Sequence, residues 1–221
     1  MYLFDIDGTL IGGDGAGRRA FERACADVLG VERALEGLTL DGMTDPLILE
    51  HVFATHLRRA RTADESSAVL ATYVRHLEVE IRTAAYHVKP AVEETLERLE
   101  ARGACVGLAT GNLAEGARIK LTRGGLWSRF PFGGFGSDAG DRAELVRVAI
   151  ARGRERMTAA GRESAREEIV VIGDTPRDID AAHAAGAVCV AVATGRHSVE
   201  ELRAAGADAA FPSLREYLAV L

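Results

Sequence analysis

Residues 3–11 read "LFDIDGTLI". A short apolar run ends in two aspartates, Asp5 and Asp7, one residue apart, and a glycine-rich stretch follows. The aromatic and aliphatic residues at 2–4 have the character of a buried strand, and residues 2–5 are read as one. Its C-terminal end therefore delivers two carboxylates to the rim of a core. Two later strands end the same way. "ACVGLAT" (104–110) runs into Thr110-Gly111-Asn112, and "EIVVIGD" (168–174) closes on Gly173-Asp174, with Asp178 four residues on.

Around these strands the chain alternates. Helical patterns at 91–103, 113–125, 143–157, 176–186, 198–206 and 213–221 follow or precede apolar strand-like runs, including "AVCVAVATG" (187–195) and shorter ones in "FGGFGSD" and "DAAF". Strands alternating with helices imply an α/β fold: a Rossmann-like, mostly parallel sheet with helices on both faces, a three-layer α/β/α core. Ligands of such sheets bind outside the carboxyl ends of the strands, where the informative polar residues of this sequence gather.

Residues 18–84 have a different texture. "RRAFERACADVL" carries Phe21, Ala24, Cys25 and Val28 on one stripe, and "SAVLATYVRHLEVEI" spaces Leu70, Tyr73, Val74, Leu77 and Ile81 at helical intervals. The stretch is predicted helical throughout. The predicted organisation is an α/β core from residues 1–13 and 86–221 and an inserted all-helical cap from residues 14–85. Gly13, Gly15 and Gly17 follow a strand but do not have the spacing of a dinucleotide-binding loop, whose third glycine would fall at Arg18. Gly13 and Asp14 are read as a hinge, and Lys89-Pro90 as the return linker.

Bulk properties narrow the function. The chain has 221 residues, 48% of them hydrophobic, and a net charge of −6. Mean hydropathy is near zero (+0.02) and the pI is about 5.6. An acidic chain of this kind lacks the clustered positive charge that phosphate backbones demand, so no nucleic-acid partner is expected. No run of 18 apolar residues exists, and no membrane association is expected. A strand beginning at Tyr2 leaves no room for a signal peptide. Cys25, Cys105 and Cys189 lie far apart among apolar residues and are read as buried free thiols of a reducing compartment, with the cytoplasm as the expected location. His51 and His56 are five apart, the wrong spacing for a shared metal face on a helix.

Asp5, Asp7, Asp174 and Asp178 converge if their strands are neighbours. Close carboxylates repel and raise one another's pKa, which a divalent cation relieves, and an all-oxygen site with open positions suits Mg²⁺. For a single aspartate, helix capping is the stronger reading, and Asp174 and Asp178 could cap; four at matching strand ends point to a site. Thr110, Gly111 and Asn112 open a helix and form a candidate phosphate cradle. A carboxylate can attack phosphorus in line, and a second acid two residues on can protonate the leaving oxygen. Asp5 is then the nucleophile and Asp7 its acid/base partner.

These stretches resemble the motifs of the haloacid dehalogenase superfamily: "DIDGTLI" its first, "ATGN" its second, "IGDTPRDID" its fourth. The resemblance runs nearly the whole chain, and within the family it is strongest to phosphoglycolate-phosphatase-like enzymes with a helical cap. It implies a phosphoric monoester hydrolase acting on a small phosphorylated metabolite through an aspartyl-phosphate. It implies Mg²⁺ held by Asp5, the Asp7 carbonyl and Asp174, with Asp178 close by, and a phosphoryl group held by Thr110 and Asn112. Asp7 argues against a dehalogenase, which has no oxygen leaving group to protonate. The family's third motif, usually a lysine before a proline, is absent. Arg142, at the expected helix start, is favoured as the replacement over Lys120, which lies two helical turns past Asn112 and is read as pointing away. "GMTDP" (42–46) resembles the family's cap substrate loop, making Thr44 and Asp45 candidate substrate contacts or a plain N-cap. A sugar-phosphate mutase and a non-catalytic phosphate-binding module are the alternatives.

Overall fold

The computed structural model describes residues 1–162 and 168–221. Its core is a six-stranded parallel sheet. β1 (Tyr2–Phe4) lies between β4 (Val106–Thr110) and β6 (Val170–Gly173), with β5 (Gly133–Phe135) outside β4, and β7 (Val188–Val192) and β8 (Ala209–Phe211) beyond β6. The register aligns Phe4 with Leu108 and with Ile172, so these three strands end level with one another. That alignment brings together residues more than a hundred positions apart.

Alternation along each strand feeds two apolar layers. Phe4, Leu108, Ile172 and Val190 face one side, under α4 (Val92–Ala101), α5 (Ala114–Arg123) and α9 (Leu214–Leu218). Leu3, Ala109, Val171 and Ala191 face the other, under α6 (Arg142–Ala159), α7 (Pro176–Ala184) and α8 (Val199–Ala204). All three cysteines are buried, and none forms a disulfide among the described residues. Among the described residues no helix is long and apolar enough to cross a membrane.

A third apolar cluster belongs to the segment between β1 and β4. α1 (Ala16–Leu29), α2 (Asp45–Val52), which continues through a π-turn at 53–57, and α3 (Ala63–Thr83) bury Phe21, Leu49, Tyr73 and Leu77 against one another. Ile119 of α5 joins this cluster from the core side. The expectation of continuous helix over 18–84 is corrected here: residues 30–44 form turns and irregular chain. Gly30, Gly37 and Gly42 all adopt positive φ there, a conformation that ends helices and that other residues resist.

Two short strands were not foreseen. β2 (Ile11–Gly12) and β3 (His87–Val88) pair antiparallel where the chain leaves and re-enters the sheet domain. Lys89 fastens the same crossing, its N–H donating to the Leu10 carbonyl (2.9 Å) and its Nζ to the Thr194 carbonyl (2.7 Å).

Candidate active site

The sheet ends at Phe4, but Asp5 still donates its N–H to the Ile172 carbonyl (2.9 Å), so its side chain stands at the rim of the β1–β6 junction. The chain then turns sharply. Gly8 has φ +88°, and a Cβ there would collide with the Asp174 carboxylate. Gly195, after β7, approaches the same carboxylate equally closely. Asp7 lies beyond the strand, in an isolated bridge to Ile11, rather than on a shared strand face with Asp5.

Asp5, Asp174 and Asp178 are all buried, and each offers an oxygen within 4.8 Å of the others. Burial pushes the Asp5 carboxyl up to about 6, against the opposing pull of Arg142 and with help from Asp178 and Asp7. Burial also drives Asp174 well above the carboxylate range, reinforced by Asp178 and Asp5. Thr9 Oγ1 donates to Asp174 Oδ1 (3.1 Å); this fully buried threonine was not among the expected site residues. Arg142 is the cation that reaches this trio. Its Nη2 is 3.0 Å from Asp5 Oδ1, and its Nε and Nη2 reach Asp178 Oδ1 at 3.0 and 2.5 Å. A carboxyl cluster this dry, with a hard, all-oxygen donor set and one guanidinium, fits a divalent cation of the Mg²⁺ type.

Asp178 has a second duty. It is the third residue of α7, and its Oδ2 accepts from the N–H (3.0 Å) and Oγ1 (2.7 Å) of Thr175, a complete capping box. Both of its oxygens are thus engaged by protein donors.

Lys120 requires a correction. It is buried, and its Nζ donates to Asp7 Oδ2 (2.7 Å) and Asn112 Oδ1 (2.6 Å). The helix starts only at Ala114, so the rise to Lys120 is roughly 9 Å. Helical side chains lean toward the N-terminus, and the lysine stem covers the rest. Asn112 completes the group, its Nδ2 donating to Asp7 Oδ2 (2.7 Å) and Thr110 Oγ1 (2.9 Å). Burial raises the Asp7 carboxyl, but Lys120 and Asn112 outweigh it and hold that group below its ordinary value. The two candidate cations therefore divide the site: Arg142 serves Asp5 and Asp178, and Lys120 serves Asp7.

The 42–46 loop closes over this floor. Thr44 is the N-cap of α2, its Oγ1 accepting from Leu47 N (3.3 Å) and donating to the Gly140 carbonyl (2.7 Å). Asp45 donates its N–H to the Gly111 carbonyl (2.8 Å), and its Oδ2 accepts from Leu113 N (2.8 Å). Burial pushes the Asp45 carboxyl up to about 6. Arg142 Nη1 donates to the Gly42 carbonyl (3.1 Å). Thr44 and Asp45 thus clasp the helical segment to the sheet domain, and Asp45 also lines the cavity between them. That cavity, about 360 Å³, is bordered by Asp5, Asp7, Thr110, Asn112, Lys120 and Arg142 on the sheet side. Its other wall is largely apolar, with Phe21, Ile48 and Ile81.

The sequence profile of the haloacid dehalogenase-like hydrolases matches residues 2–192. The chain belongs to that family. A curated relative, "Probable phosphatase IndB" of Dickeya dadantii, is 27% identical over 211 residues, covering 93% of this chain and 86% of that protein. A hydrolase from Pseudomonas syringae superposes with a TM-score of 0.76 at 20% identity, over 100% of this chain and 98% of that one. A "predicted phosphoglycolate phosphatase" from Haemophilus somnus gives 0.71 at 20%, over 100% and 96%. CbbY from Rhodobacter sphaeroides, solved in complex with phosphate, gives 0.71 at 22%, over 97% and 94%. The three structures share the fold of this haloacid dehalogenase-like hydrolase.

Proposed function

We propose that the protein is a Mg²⁺-dependent phosphomonoesterase of the cytoplasm that transfers the phosphoryl group of a small metabolite to Asp5 and then to water. The observation that carries this reading is the meeting of Asp5, Asp174 and Asp178 in one buried cluster beside the Asp7–Asn112–Lys120 group. The phosphatase name of the curated relative supports it.

Asp5, Asp174 and the Asp7 carbonyl are the proposed holders of the cation, with Asp178 orienting Arg142 from the adjacent position. The ion would offset the buried negative charge and stabilise the phosphoryl oxygens. Arg142, 3.0 Å from Asp5 Oδ1, aims the attacking carboxylate and keeps a positive charge beside the phosphoryl group. The Thr110 hydroxyl and the Gly111 N–H supply neutral donors for its remaining oxygens; Asn112 Nδ2, whose two N–H groups go to Asp7 and Thr110, joins them by releasing one of those bonds. Asp7, half exposed to the cavity, faces the leaving oxygen. It delivers a proton to that oxygen and afterwards takes one from the water that attacks the aspartyl-phosphate. Lys120 and Asn112 fix its orientation for both steps. The helical segment at 14–85 acts as the cap, excluding bulk water while the clasp at Thr44 and Asp45 is made.

Phosphate release from p-nitrophenyl phosphate tests the proposal. Turnover in Mg²⁺ that is abolished by EDTA and in Asp5→Asn is the expected result. Full activity in Asp5→Asn removes the nucleophile assignment.

A further inference from the structure

The turn after β7 reaches the acid cluster and is tied to it by bonds that the proposed chemistry does not use. β7 runs beside β6 with Ala191 opposite Gly173, so residues 193–195 pass close to Asp174. Gly195 and Gly8 both pack so tightly on the Asp174 carboxylate that a Cβ on either would collide with its Oδ2. Thr194 Oγ1 donates to the Gly8 carbonyl (2.6 Å), which joins the two glycine turns. Lys89 Nζ donates to the Thr194 carbonyl (2.7 Å), and the Lys89 N–H to the Leu10 carbonyl (2.9 Å). Lys89 is therefore bonded to both segments that pack on Asp174.

Asp174 needs such support. Its Oδ1 accepts from Thr9 Oγ1 (3.1 Å), whereas its Oδ2 accepts no hydrogen bond among the described residues. Asp5 and Asp178 each bring an oxygen within 4.8 Å of it, and their like charge pushes it away. Arg142 pairs with Asp5 and Asp178 and not with Asp174 among the described residues. The terminal torsion of an aspartate is broad, so one hydrogen bond does not fix the plane of the carboxylate. Packing on Gly8 and Gly195 can fix it, but glycine allows close approach without lending stiffness. The stiffness comes from Thr194 and Lys89. The other tether on this turn, Arg196 Nε to Asp41 Oδ2 at 3.4 Å, has a side chain 72% exposed and holds weakly.

We infer that Thr194 and Lys89 are positioning residues for the divalent cation: through the Gly8 and Gly195 turns they hold the Asp174 carboxylate in the orientation that presents Oδ2 to the ion. The inference rests on the reading of Asp174 as a cation ligand. Thr194 acts directly on the Gly8 turn through its hydroxyl. Lys89 acts through Thr194, whose carbonyl it holds. Lys89 also belongs to the return linker of the helical segment, next to the β2–β3 pair. The crossing between the two parts of the molecule and the cation site thus share one set of hydrogen bonds.

Calorimetric titration with Mg²⁺ alone reads the effect without turnover. Thr194→Val and Lys89→Met should each weaken Mg²⁺ binding by about three- to tenfold, as expected for one lost hydrogen bond behind an intact set of ligands. Thr194→Ser keeps the hydroxyl and should bind Mg²⁺ as the unsubstituted protein does. Melting in EDTA separates positioning from scaffolding. A lowered Tm with unchanged Mg²⁺ affinity in both variants overturns the inference, and so does a Thr194→Ser protein as weak as Thr194→Val. Lys89 is only half-buried, so Lys89→Met decides the matter should Thr194→Val not fold. An unsubstituted protein that binds no Mg²⁺ overturns the inference as well. If the unsubstituted protein binds Mg²⁺ but does not hydrolyse p-nitrophenyl phosphate, the phosphatase reading fails, while the comparison of Mg²⁺ affinities still decides the roles of Thr194 and Lys89.

Discussion

Arg142 shows how one residue can serve several masters. It is 8% exposed, and it contacts Asp5, Asp178 and the Gly42 carbonyl at once. Arg142→Met removes the one cation paired with the buried Asp5 and Asp178 among the described residues, and about 3–5 kcal/mol of stability should be lost in urea denaturation without Mg²⁺. Added Mg²⁺ should return part of it. The sequence made Arg142 legible because a basic residue at a helix start, just past the β5 strand edge, can reach the sheet rim. Asp5, Asp7, Asp174, Thr110 and Asn112 were legible for the same reason: each follows an apolar strand. Lys120 was misread, since counting residues along a helix ignores where the helix begins and which way its side chains lean.

Between elements, the close approach of the 42–46 loop to the β4–α5 turn is what assembles the site. A Cβ on Gly111 would collide with the Met43 carbonyl. Gly111→Ala should therefore push the loop off the sheet edge, breaking the Asp45 N–H bond to the Gly111 carbonyl and lowering kcat for p-nitrophenyl phosphate by about tenfold or more, with thermal stability reduced less than about 2 kcal/mol. An unchanged kcat would show that the loop does not need this contact. The parallel sheet and its helices were readable from alternation, because long periodic elements declare themselves. The two-residue strands β2 and β3 are too short to leave a period. The irregular stretch at 30–44 was masked by apolar residues that suit either a helix or packed turns, even though its glycines mark it.

For the molecule as a whole, the buried acid cluster couples stability to pH and to metal. Folded Asp5 holds its proton up to about 6, above its ordinary 3.8, and Asp174 shifts in the same direction. The folded state therefore binds more protons than the unfolded chain between those values, and metal-free stability should fall as pH rises through that window. Mg²⁺ binds the ionised form and should reverse the loss. Its stabilising shift in Tm should be larger at neutral pH than near about pH 5, as scanning calorimetry can determine. A shift equal at both pH values would mean that the cation does not bind at these carboxylates.

Phosphoryl transfer to Asp5 is best tested by chemical trapping. The enzyme is quenched during turnover of p-nitrophenyl phosphate in Mg²⁺ and treated with borohydride, which reduces an acyl phosphate to an alcohol, and the peptide that begins the chain is analysed by mass spectrometry. Homoserine at position 5, absent without substrate, is the expected result. Steady phosphate release with residue 5 always recovered as unmodified aspartate, or with the modification at Asp7 instead, would contradict it.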